Sequence, residues 1–139
     1  MEYALADTCL WYAVFDRRDP YHGEARGKAD VLSPFQIVLP WPTLYETLRT
    51  RFVRNGLALG QFERFLKRPN IAYLDDSPFR HAAFELALES SLRRGRPLSM
   101  VDCLIRLLLE DVNIRIKYLA TFNDRDFIDV CIRRGIEII

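Results

Sequence analysis

"EYALADTCLWYAVF", residues 2–15, decides how the rest of the chain is read. Tyr3 to Ala6 is a short apolar run of strand length, Asp7 stands directly at its end, and a helical pattern follows over 8–15. Comparable apolar runs, bounded by turn or cap residues, recur at Gln36 to Leu39, Ile71 to Leu74, Ile116 to Thr121 and Ile136 to Ile139. Between them lie helical patterns. The clearest are 78–94 ("PFRHAAFELALESSLRR") and 99–112 ("SMVDCLIRLLLEDV"), with weaker ones near 20–32 and 57–67, where glycines and Pro20 interrupt the spacing. Strands alternating with helices predict an α/β fold with a central parallel sheet of about five strands flanked by helices. Helix starts are marked at Pro42, at Ser77 with Pro78 and at Ser99, and Gly95 closes the long helix.

The chain has 139 residues, enough for one domain over 1–139 with a single core and no need of staples. No segment is low in complexity, and no stretch rich in Gly or Ser suggests a linker. Twenty Lys and Arg stand against nineteen Asp and Glu, so net charge names no partner. Cys9, Cys103 and Cys131 are odd in number and widely spaced, which argues against a disulfide framework or a zinc site. With Glu2 and Asp7 inside what would be a leader's apolar segment, and no run of spanning length, a soluble cytoplasmic protein is expected.

Four acidic places follow from the opening pattern. Asp7 ends the first strand; Glu46 is expected in the first turn of the helix after the second; Asp102 lies in the first turn of the helix starting at Ser99. Asn123, Asp124 and Asp126, in "ATFNDRDF", follow the fourth strand. In a parallel sheet with right-handed crossovers, strand ends and helix starts share one edge, the edge at which open α/β sheets bind ligands. Helix capping accounts for the same positions. "TLYE" (43–46) and "SMVD" (99–102) both match a capping box, and Asp7 and Asn123 are suitable N-caps. With Leu44, Tyr45, Leu48 and Phe52 as the buried stripe, Glu46 points off it. One cap would not need both Asp124 and Asp126. Converging carboxylates repel one another unless a hard cation such as magnesium or manganese joins them, and such an ion serves phosphodiester hydrolysis.

"YALADTCLWYAVF", "TLYETLRT", "PLSMVDCLIRLLLED" and "YLATFNDRDF", in this order, resemble a PIN-domain ribonuclease, most closely the VapC toxin branch of toxin–antitoxin pairs. The resemblance spans nearly the whole chain, and its specificity lies in the order and spacing of four short motifs. It implies a Mg2+ or Mn2+ site, endonuclease action on RNA, a cognate antitoxin protein and a homodimer. Asp7, Glu46 and Asp102 match the family's acids; Asn123 stands where many relatives have an acid, which leaves Asp124 or Asp126 to supply that charge. On this reading Asp7, Asp102 and Asp126 are the metal ligands, and Glu46 ligates the ion or orients the attacking water. Thr8 and Thr121 are candidates to hold a carboxylate or bound water, or simply to satisfy a turn. Arg49, Arg51 and Arg54, read as one helix, are candidates to track an RNA backbone. Phe62, Phe65 and Leu66 either face a partner or pack in the core. Rival readings are a binding module of the same shape with its acids as caps, and another phosphoryl-transfer α/β domain. A haloacid-dehalogenase-type phosphatase would need an acid where Cys9 stands, and the paired acids of a receiver domain are not met.

Overall fold

The computed structural model describes residues 2–139. Strand β1 (Tyr3–Ala6) leads into α1 (Thr8–Phe15) and α2 (His22–Leu32); β2 (Gln36–Pro40) is followed by α3 (Trp41–Thr47), α4 (Thr50–Val53) and α5 (Gly56–Leu66). Then come β3 (Ile71–Leu74), α6 (Ser77–Leu92), α7 (Met100–Glu110), β4 (Ile116–Ala120), a 3-10 turn (Asp124–Asp126), α8 (Ile128–Arg134) and β5 (Glu137–Ile138). The fold is α/β, with one five-stranded sheet in the order β3-β2-β1-β4-β5 and every pairing parallel. All five expected strands are present, with ends within a residue or so of the apolar runs.

Alternation along the strands divides the core in two. Ala4, Ala6, Ile37 and Leu39 meet Leu10, Trp11, Phe62 and Phe65 on one face, whereas Leu5, Val38 and Leu119 meet Leu104, Leu108 and Val130 on the other. The central strands β1 and β2 are covered on both faces, as a parallel sheet requires, and exposure is confined to the flanking strands, as at Tyr73 on β3 and Lys117 on β4. Strand order explains the division: the chain steps outward from β1 to β3 and then returns past β1 to β4, so crossovers of constant hand place helices on opposite faces. That reversal puts a topological switch point between β1 and β4, at their carboxyl ends.

Local expectations fail around α3. That helix starts at Trp41 with Pro40 as its N-cap, so Glu46 lies in its last turn rather than its first. Thr43 is no cap: its hydroxyl donates back to the Pro40 carbonyl at 2.7 Å, and the 43–46 capping box does not form. Pro42 is tolerated inside the first turn because its missing N–H has no partner there, which lets the helix begin directly from the strand. The chain breaks at Leu48 and Arg49, so Arg49, Arg51 and Arg54 do not share one helix. The buried stripe is Thr43, Leu44 and Thr47; Tyr45 is 78% exposed. Phe62 and Phe65 are buried in the core, which settles their alternative in favour of packing.

Among the described residues no helix is long and apolar enough to cross a membrane. The three cysteines are free.

Candidate active site at the β1–β4 switch point

Asp7 continues the ladder of β1, its N–H donating to the Ala120 carbonyl at 3.0 Å. It also caps α1, with one carboxylate oxygen accepting from the Thr8 N–H at 2.7 Å. The other oxygen accepts from the Thr121 hydroxyl at 3.2 Å, across the gap between β1 and β4. Thr121 in turn accepts from the Asn123 N–H at 2.9 Å, which ties the start of the following loop to the same carboxylate. Only 6% of Asp7 is exposed. Burial above all, then the negative charge of Asp102 and more weakly that of Glu46, push its pKa up to about 6, against the pull of the Thr8 and Thr121 hydrogen bonds. A carboxylate at a helix N-terminus, holding two hydrogen bonds, would normally be lowered. Here desolvation and like charge win.

Asp102 enters from α7, whose N-cap Ser99 accepts from the Asp102 N–H at 3.0 Å. Its pKa is raised by burial and by the charge of Asp126, and held back by hydrogen bonds with Ser99. Asp102 is therefore both a capping-box acid and a charge facing the switch point. Glu46 projects from the end of α3, where its carbonyl accepts from the Tyr12 hydroxyl and so fixes α3 to α1. Asp126 accepts from the Asn123 side-chain amide. Asp124, in the same 3-10 turn, is exposed; its charge is felt at Cys131 on α8, not at Asp102. Of the two acids after β4, Asp126 is the one turned toward the site.

Asp7, Glu46, Asp102 and Asp126 thus lie within electrostatic reach of one another in pairs, on one sheet edge. Among the described residues no three His, Cys, Asp or Glu side chains stand close enough to form a ready metal cage. Asp7 and Asp102 are each engaged with nearby groups of their own cap. The donor set still suits a hard cation. It is all oxygen and anionic, and magnesium takes one or two carboxylates while keeping several waters. Beside Asp7, the buried Thr8 hydroxyl has no hydrogen-bond partner, an uncommon condition for a polar atom at 4% exposure.

One residue of this region is not evident as part of a site from its sequence position. Arg106 interrupts the apolar run "CLIRLLL" of α7 and reaches under the loop after β4. Its guanidinium donates to the Asp126 carbonyl at 2.6 Å and grips the Asp129 carboxylate at 2.7 and 2.8 Å. Arg96 adds a hydrogen bond to the Arg125 carbonyl at 2.9 Å. The acid-bearing turn is pinned from below. A lone arginine in an apolar stripe is the signal that points to such a buried clamp. Arg106→Ala should lower stability by about 2–3 kcal/mol, less than for a fully buried pair because water reaches Asp129. Arg106 holds the Asp129 carboxyl well below its usual range, so this contribution is present above the ordinary carboxylate pKa and lost as pH falls below it. Urea midpoints from pH 3 to 7 check this: the variant's deficit should be largest at neutral pH and shrink in acid.

A cavity of about 640 Å³ lies beside the carboxylates rather than on them, between α3, α6 and α7, with Trp41 stacked on Tyr73 at its rim. No protein-family model matches the chain, and no curated protein matches it.

Proposed function

We propose that the chain is a metal-dependent endoribonuclease of the PIN-domain kind, acting as the toxin of a toxin–antitoxin pair. The observation that carries this reading is Asp7: a buried carboxylate at the β1–β4 switch point, its pKa raised by burial and by a second acid, Asp102, from a separate part of the chain. Such a pair is unfavourable alone and favourable around a cation. Asp7, Asp102 and Asp126 would hold magnesium or manganese. When bound, the ion supplies a lowered pKa for an attacking water and positive charge against the phosphate. Thr121 orients Asp7 through its hydroxyl, while the Thr8 hydroxyl remains free to take a further hydrogen bond. Glu46, exposed at the end of α3, would ligate the ion or orient the attacking water. Nothing in Asn123 supplies charge; it steadies Asp126. A cognate antitoxin, and a second copy of the chain, are partners this reading expects.

A second reading has an observation of its own. The hydrogen bonds of Asp7 to Thr8 and of Asp102 to Ser99 are what a binding module with acids as helix caps would show. Two measurements separate the readings. Manganese at millimolar concentration should raise the melting temperature through selective binding to the folded state, and Asp102→Asn should abolish both that rise and RNA cleavage. Unchanged melting with manganese, together with no cleavage, would leave only the module.

A further inference from the structure

Four arginines gather on one flank of the carboxylate edge. Arg18, from the loop between α1 and α2, meets Arg49, Arg51 and Arg54 from the segment between α3 and α5. They line two adjoining hollows of about 240 and 290 Å³ that share Asp16, Arg18, Arg51 and Asn55 and so form one channel. All four are exposed, and none has a carboxylate within ion-pair distance among the described residues. Two acids share the channel, but each carboxylate accepts a backbone N–H of its own turn, Asp16 from Arg18 and Asp19 from Tyr21. The balance is positive. Arginines left without partners on one wall invite an anion with several charges in a row.

Where the channel leads narrows the choice. Its inner end is Cys9 and Tyr12, with the Arg49 guanidinium over the Tyr12 ring at 4.6 Å. Cys9 lines this hollow and stands in the first turn of α1, two residues after the N-cap Asp7, so the basic channel adjoins the acidic edge. We infer that the channel carries the sugar–phosphate backbone of single-stranded RNA toward the carboxylates, an inference that rests on the proposed nuclease reading. A positive track ending at an acidic pocket suits a polyanion whose one reacting phosphate is handed to a bound cation. Asp7, at 6% exposure, lies too deep for a phosphate on the outside of a stiff duplex, whereas a single strand can bend into the edge.

The test uses a fluorescent 2′-O-methyl RNA oligonucleotide, which resists cleavage, with EDTA present and anisotropy read across a potassium chloride series. Arg18→Ala/Arg51→Ala/Arg54→Ala should weaken binding at least about tenfold at low salt and reduce the salt slope by about 0.7 for each phosphate no longer neutralised. Arg115→Ala/Arg134→Ala, removing exposed charge around β4 and α8, should change binding less than twofold. The single strand should bind at least about tenfold tighter than its duplex and than a poly-glutamate peptide of equal charge. No binding by the wild type, equal losses in both variants, or preference for duplex or peptide would overturn the inference. Because no metal or cleavage enters the measurement, loss of binding in the triple variant with no cleavage by any form would sink the nuclease reading and leave the channel standing.

Discussion

Asp7→Asn is expected to reduce RNA cleavage at least about a hundredfold while making the metal-free protein no less stable at neutral pH. The two halves have separate causes. Asparagine is as good an N-cap as aspartate, so the start of α1 survives and only the charge is lost. In the folded protein the Asp7 carboxyl has a pKa of about 6 against an ordinary 3.8. A folded-state pKa above the unfolded one means that the native state binds the proton more tightly. The stabilisation is therefore full below about pH 4 and is lost as pH rises through about 6, a difference of about 3 kcal/mol. Denaturation in EDTA from pH 4 to 7.5 should show the wild type losing stability across this window and Asp7→Asn lacking most of that loss. With manganese the order should reverse, since the cation restores only the wild type. A variant that cleaves RNA like the wild type would remove Asp7 from the site.

Phe62→Ala is expected to be the most damaging single truncation away from the site, at about 3–5 kcal/mol, or about 10 °C in melting temperature. Phe62 has no exposed surface. Its ring lies 5.4 Å from that of Phe15, 5.7 Å from Phe52 and 6.0 Å from Phe65, so truncation opens a void among aromatic rings on α1, α4 and α5 at once. The loss should be the same at all protein concentrations. A loss below about 1 kcal/mol would show that these rings are not close-packed around Phe62.

These two residues show how far local pattern reaches. Phe62 is one of an apolar set on a helix, a spacing that says one face is covered without saying by what; only the packing of α5 on α1 names the neighbour. Asp7 is legible because a strand, an acid and a helix in immediate succession leave the carboxylate few places to go. Asp102 is legible as an N-terminal acid for the same reason, and its capping bond and its charge toward Asp7 both follow from that position. Glu46 is not, because Pro40 and Trp41 begin α3 before the Thr that resembles a cap, moving the acid to the helix's other end. The buried stripe drawn through Tyr45, Leu48 and Phe52 fails as well, since α3 ends at Thr47 and the latter two residues lie outside it.

The amino-acid order by itself determined the five strands, their parallel arrangement and the acid at the end of the first, because strand length, period and cap chemistry act over a few neighbouring residues. Only the tertiary structure decided that β4 returns beside β1, that Asp126 rather than Asp124 turns toward Asp102, that Arg106 clamps the turn from beneath, and that Arg18 joins three arginines from another segment. Those are meetings between residues far apart in the chain. They are set by how the sheet and its two helical layers pack, and no short-range preference encodes them.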